Sequence, residues 1–346
     1  MQDLYNLHIS MLGAQGTGKS SLLASMFYTF KKTAGESGFI MKPATTEDER
    51  QLSNSHEEML RHLRGGVEGD PIGLPPNANA KEYALNLGFL KNNIKNYWLK
   101  LHFWDFPGGW ILDNRHEVVE HLNQSDVILI AIDTPSLVVS DIYGGWQLHH
   151  HIKNRPKEIE AILGDVDFKL PKLILFVPIK CETWRSSTKG SELIVEQVRK
   201  GYDGLIANLK MYSTVTIAII PVQTLGNYFW ATRDEKKNNK GKTVIQDKFL
   251  PQNTDNSGNA EYCPKDIDQP LIYMLSFLTK QVRDYLNDKL KNKPWYEKFR
   301  DLVTGRRKAF FEKIAQLEQP LNNLNKKRMD QKKDGFEIIQ GKENFL

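Results

Sequence analysis

The chain has 346 residues, with 47 Lys and Arg against 42 Asp and Glu, a formal charge of +5, and two cysteines. That length suits one large domain or two ordinary ones. It holds no apolar run long enough to span a bilayer, and Cys181 and Cys263 make neither a disulfide framework nor a zinc site. The N-terminus runs directly into a strand pattern without signal-peptide features, so a reducing cytoplasm is the expected setting.

The charge is unevenly placed. Residues 291–333 carry 13 Lys and Arg and 5 Asp and Glu, which leaves the rest of the chain near −3. The basic character therefore belongs to the C-terminal part.

In chain order, residues 7–12 read as a buried strand and 19–32 as the helix after it. Between them lies Gly13-Ala14-Gln15-Gly16-Thr17-Gly18-Lys19-Ser20, which fits G-x-x-x-x-G-K-[ST] in the strand–loop–helix context that motif requires. Glycines let such a loop curl so that successive N–H groups face phosphate oxygens, and the following helix adds the partial positive charge of its N-terminus. Gly13, Gln15, Gly16, Thr17, Gly18, Lys19, Ser20 and Ser21 are the expected phosphate-binding residues. Lys19 would reach the β- and γ-phosphates, and the Ser20 hydroxyl would hold Mg²⁺.

Residues 45–64 read as a helix, with Thr46 as its cap and Glu47, Asp48 and Glu49 in the first turn, where acids suit the helix dipole. A Gly/Pro/Asn loop covers 65–80. Residues 83–90 and 97–104 should pair as an antiparallel hairpin. Asp105-Phe106-Pro107-Gly108 follows directly and matches D-x-x-G. There Asp105 can hold Mg²⁺ across from Ser20, and the Gly108 N–H can sense a γ-phosphate.

Apolar runs at 127–132, 173–177 and 215–220 read as strands buried on both faces, with helices near 146–163 and 192–211 between them. Pro156 breaks or offsets the first of these helices. Residues 227–268 are polar and irregular, with a hairpin around 238–241, and 270–290 read as a domain-closing helix. The alternation gives an α/β fold, a mostly parallel sheet with helices on both faces.

After the second apolar run stands Ile179-Lys180-Cys181-Glu182. GTPases carry N-K-x-D at this place, where Lys covers the guanine ring and the acid accepts from its N1 and N2. Lys180 and Glu182 could take those roles, or be surface residues after a strand. Val222-Gln223-Thr224 occupies the place of a further base-contacting loop, with Gln223 as its candidate. His149-His150-His151 reads as a solvated helix face rather than a metal tract, and His116 as polar surface.

Through Gly13 to Ser20, Trp104-Asp105-Phe106-Pro107-Gly108-Gly109, Pro178-Ile179-Lys180-Cys181-Glu182 and Pro221-Val222-Gln223-Thr224-Leu225-Gly226, the chain resembles P-loop GTPases of the translation-factor and Ras-like class. It is similar to the bacterial double-GTPase-like families, some of which are associated with conflict or antiphage systems. The resemblance implies a Ras-like six-stranded sheet with one antiparallel edge strand over residues 1–291, carrying insertions near 34–80 and 227–268. It also implies GTP or GDP with Mg²⁺ as ligands, and a switch function. Residues 292–346 would form a basic helical extension. That extension reads first as an extra helix pair packed on the domain with a solvated basic face; as a binding arm, a protein partner ranks above an anionic membrane surface, and a membrane above nucleic acid.

Three departures from the family's pattern matter. Residues 75–80 lack the Thr that completes the Mg²⁺ shell in the first switch, leaving Thr45 or Thr46 as substitutes. Ile179 stands in place of the Asn. Gly109 and Trp110 stand where a Gln usually aligns the attacking water, so Gln15 or a partner would have to act instead. Slow intrinsic hydrolysis is therefore expected. An ATP-using P-loop enzyme, a non-hydrolysing nucleotide scaffold and an interaction protein working through its tail are the alternatives.

Overall fold

The computed structural model of the chain describes residues 5–64, 80–91, 94–139, 146–237, 243–252, 261–292, 320, 322–323, 325–329 and 334–345. Its centre is a set of five parallel strands. β1 (Tyr5–Leu12), β4 (Ile94–Asp105), β5 (Val127–Asp133), β6 (Lys172–Ile179) and β7 (Val215–Ile219) run parallel. Every residue of β5, β6 and β7 is buried. Alternate side chains feed two separate cores. Val127, Leu129 and Ala131 face one, and Ile128, Ile130 and Ile132 face the other.

The first core is closed by α1 (Lys19–Ser37) and α10 (Gln269–Asn292), through Leu22, Met26 and Phe30 and through Leu271, Met274 and Leu278. The second is closed by α4 (Arg115–Gln124), α7 (Pro156–Gly164), α8 (Thr188–Gly201) and α9 (Asp203–Leu209). This is the expected α/β sheet with helices on both faces, and it is consistent with a P-loop-like fold.

Among the described residues the sheet has eight strands, not six, in the order β10 (Glu337–Gln340), β7, β6, β5, β1, β4, β3 (Lys81–Lys91), β2 (Phe39–Pro43). The expected hairpin is present as β3 against β4. Beyond it, β2 adds a further antiparallel strand. At the opposite edge, β10 pairs antiparallel with β7, so both edges are antiparallel rather than one.

The strand at 337–340 belongs to the segment expected as an appended helical extension. Phe336 is fully buried in the first core, and Phe345 packs against Tyr273 and Phe277 at ring separations of 5.4 and 6.2 Å. Removing everything after Asn292 would therefore strip one edge and two aromatic rings from the domain. The basic residues 293–319 lie outside the described residues.

The first helical stretch breaks at Pro156 as expected, into α6 (Trp146–Asn154) and α7, split at Arg155, which takes a left-handed φ of 47°. Pro156 lacks an N–H and fits the first turn of a new helix, not the interior of an old one. The second becomes α8 and α9, split at Tyr202. β8 (Tyr228–Lys237) and β9 (Thr243–Pro251) form a separate two-stranded sheet where the polar hairpin was expected, its turn lying outside the described residues.

The helix α2 (Thr46–Arg64) is capped by Thr45 rather than Thr46. The Asp48 N–H donates to Thr45 Oγ1 at 3.1 Å, while Thr45 N–H and Oγ1 donate to Asp48 Oδ2 at 3.0 and 2.6 Å, a reciprocal box. Asp48 Oδ1 accepts from the Ala84 N–H at 3.0 Å, which ties α2 to β3.

Candidate functional site

Chain connections from β1 leave in opposite directions, first to β2–β4 on one side and then to β5–β7 on the other. A crevice outside the carboxyl ends of strands at such a reversal is where open α/β sheets take their ligands. The register sets what converges there. Met11 lies opposite Asp105, and Asp133 lies opposite Ile179. The loop after β1, the end of β4, the end of β5 and the loop after β6 therefore meet at one edge.

The loop Gly13 to Ser20 curls on itself. Thr17 is buried, and its Oγ1 donates to the Ala14 carbonyl at 3.0 Å. Lys19 Nζ donates to the Gly13 carbonyl at 2.8 Å, and the side chain is 7% exposed. Burial lowers the pKa of its ammonium, and the neighbouring Asp105 works in the other direction. Gln15 and Gly16 are exposed on the loop's outer side, and Ser21 is half-buried in the first turn of α1. Gly18 has a φ of +103°, and a Cβ there would lie 2.9 Å from Ile179 Cδ1. Ile179 thus meets the loop through an apolar contact where an Asn would tie it by hydrogen bonds.

Ser20 Oγ donates to Asp105 Oδ2 at 2.5 Å, and Asp105 is 1% exposed. The two residues are 85 apart in sequence and are brought together by the β1–β4 pairing. Gly108 packs on the same loop, because a Cβ at 108 would lie 1.9 Å from the Gln15 nitrogen. Only glycine allows that approach.

The hydroxyl and carboxylate oxygens at Ser20 and Asp105 are the hard donors Mg²⁺ prefers, and they fit it. Among the described residues, no group of three or more His, Cys, Asp or Glu could hold a metal by itself. A cation between Ser20 and Asp105 would take the rest of its shell from phosphate and water, as Mg²⁺ ordinarily does. Thr45, offered by the sequence as a further ligand, spends its hydroxyl on the α2 cap. Residues 65–79, where the first switch would lie, are outside the described residues.

Lys180 sits in a left-handed conformation with φ 58° and is ion-paired to Asp133, Nζ to Oδ1 at 2.6 Å. Asp133 also accepts from Ser136 N and Oγ at 3.1 and 2.5 Å, capping the short helix α5 (Thr134–Val138). Burial opposes ionisation of Asp133, but Lys180, Lys153 and these hydrogen bonds outweigh it and hold the carboxyl well below its usual range.

Glu182 is 7% exposed. Its Oε1 accepts from the Leu225 N–H at 2.6 Å, while its buried Oε2 makes no hydrogen bond of good geometry among the described residues. Burial pushes its pKa up to about 7, against the pull of the Leu225 N–H. Gln223 uses its backbone to bridge Lys265, and Gly226 bridges Tyr262, which braces this loop from behind.

Sequence reasoning missed Asp133 and the helix face opposite it. Asp133 follows an apolar run and precedes Thr134-Pro135, a helix-start pattern that was available to be read. His150 departs from the expected solvated face. It is 2% exposed, its Nε2–H donates to the Gly201 carbonyl at 3.2 Å, its Nδ1 accepts from Asn154 Nδ2 at 3.1 Å, and burial pushes its pKa down to about 4. His151 is exposed, as is His116.

No family model matches the chain, and no curated protein matches it. Among solved structures it is similar to the S. cerevisiae Ski7 GTPase-like domain, crystallised with GDP and inorganic phosphate. That match has 17% identity and a TM-score of 0.32 over 64% of this chain, and the chain spans 44% of that structure's length. At such similarity the arrangement of this chain's own residues carries the functional reading.

Proposed function

We propose that this chain binds a guanine nucleoside triphosphate with Mg²⁺ and hydrolyses it slowly, with the occupied and spent states differing in how Gly108 meets the phosphate loop. The observation that carries the reading is the approach of Ser20 Oγ to Asp105 Oδ2 at 2.5 Å beside the buried Lys19. One loop offers backbone donors and an ammonium, and one strand end offers a carboxylate, from opposite sides of the same space. When bound, Mg²⁺ neutralises part of the phosphate charge and orients the oxygens. Lys19 is then drawn from the Gly13 carbonyl to phosphate oxygens, and the backbone N–H groups of Gly16, Thr17 and Gly18 cradle them. Ser21 supports the first turn. Gly108, pressed against Ala14 and Gln15, must shift for a γ-phosphate to enter, which is the basis of the switch.

Lys180 and Glu182 select the base in this reading, with Gln223 holding their loop. A second reading, ATP as the nucleotide, is favoured by Ile179 in place of Asn and by the commitment of Lys180 to Asp133. Gln15, exposed on the phosphate loop, is the one side chain of that loop free to reach an attacking water from outside. A protein partner supplying a cation would raise the rate by roughly 10³–10⁵-fold.

Phosphate release tests the hydrolysis directly. Wild-type protein with GTP and Mg²⁺ should turn over far below the usual enzyme median of about ten per second. Gln15→Ala should slow it further while leaving nucleotide affinity unchanged. Fast turnover by the protein alone, or a Gln15→Ala rate equal to wild type, contradicts the assignment.

A further inference from the structure

We propose that Lys153, presented by α6, is a second phosphate-binding lysine of this site, acting on the nucleotide from the outer side of the loop. The inference rests on the nucleotide reading above but concerns a residue outside both phosphate motifs. A Cβ built on Gly16 would lie 3.7 Å from Lys153 Nζ, so the ammonium reaches the exposed rim of the phosphate loop. Gly16 has a φ of +78° and offers that approach unshielded by a side chain.

The helix is held so that Lys153 has little choice of place. Its next residue, Asn154, is fully buried and grips the end of β5 twice. Asn154 Oδ1 accepts from the Asp133 N–H at 2.7 Å, and Nδ2 donates to the Asp133 carbonyl at 3.2 Å. One turn earlier, buried His150 braces Asn154 and the Gly201 carbonyl. Immediately afterwards Arg155 adopts its left-handed turn and Pro156 starts α7. Non-glycine residues held in that region gather where function requires a fixed geometry. Arg155 and Lys180, two of the three non-glycine residues with positive φ among those described, both flank this corner.

Lys153 and Lys180 both favour the ionised form of Asp133, so both ammonium groups act on this one corner. It borders a loop shaped for anions, and a polyanionic phosphate chain lying in that loop would meet the Lys153 ammonium beside Gly16.

Fluorescent GTP titrations with Mg²⁺, at low and high salt, test the assignment in the full chain. Lys153→Ala should weaken binding about tenfold or more, the worth of one charge-assisted contact. Its salt dependence should also be shallower than wild type. Lys153→Arg should restore most of the affinity, and Lys157→Ala, an exposed lysine on α7, should bind as wild type. Unchanged affinity in Lys153→Ala, or an equal loss in Lys157→Ala, overturns this inference alone. Failure of the wild-type protein to bind any nucleotide overturns it together with the nucleotide reading.

Discussion

Lys19→Met is expected to abolish measurable triphosphate binding while leaving the free protein at least as stable as wild type. The first half follows from what the ammonium does. It is a buried cation at the base of the loop proposed to hold phosphate, and removing a buried charged partner costs about 2–5 kcal/mol, roughly 30- to 4,000-fold in affinity. The second half follows from its burial. The lowered pKa means that the folded protein keeps its charged form against a desolvation cost. A group depressed in this way disfavours the folded state at pH values below its folded pKa, so methionine, which keeps the apolar stem, relieves that cost.

Thermal melting separates the two effects. GTP with Mg²⁺ at a hundredfold excess over its Kd should add about 2.7 kcal/mol to the wild type, a rise of several degrees, and nothing to the variant. A variant that unfolds outright would contradict the stability half, and a variant that keeps the ligand-induced rise would contradict the binding half.

Glu182→Ala should remove guanine selectivity. Guanine presents N1–H and N2–H, both donors, and the buried Oε2 of Glu182 is an acceptor with no good hydrogen bond of its own. Adenine has an acceptor at N1, so a carboxylate gains nothing from it. Two charge-assisted bonds of about 1.5–3 kcal/mol each predict a loss of roughly 10²–10⁴-fold for GTP, with ATP little changed.

The same residue gives a pH signature. Its folded-state pKa of about 7 lies above the ordinary 4.5. Its contribution to stability is thus fully present below about 4.5 and is lost as pH rises through about 7. Guanine needs the ionised form, so GTP affinity should fall about tenfold per pH unit below 7 and level off above it. Glu182→Gln should flatten both dependences. A GTP affinity indifferent to pH between 5 and 8, or an equal loss of GTP and ATP affinity in Glu182→Ala, would refute the base assignment. The second outcome would favour a structural role for Glu182 in holding Leu225.

Most of the sheet was legible because its strands announce themselves. β5, β6 and β7 carry near-continuous apolar runs, and β1 and β4 run directly into the G-x-x-x-x-G-K-[ST] and D-x-x-G patterns. β2 and β10 were not legible. Each has only a few residues, carries charge and gains its strand conformation from a neighbour rather than from its own pattern. The site divides in the same way. Local spacing marked Gly13 to Ser20, and Asp105 with Gly108, because each pattern lies within a few consecutive residues. The Asp133–Lys180 pair, 47 residues apart, exists only once β5 and β6 lie side by side, and the clamp of Asn154 on Asp133, 21 residues apart, only once α6 packs on the end of β5. His150 was misread for a related reason. Three consecutive histidines look solvated until α6 is seen to turn one of them into the second core.

Magnesium-dependent binding of GTP to the unmodified protein, compared with Asp105→Asn, tests the central claim most directly. Calorimetry should show that Mg²⁺ tightens GTP binding to the wild type at least tenfold and leaves the affinity of Asp105→Asn unchanged. Equal affinity with and without Mg²⁺ in the wild type would contradict a metal gripped between Ser20 and Asp105, and with it the function built on that contact.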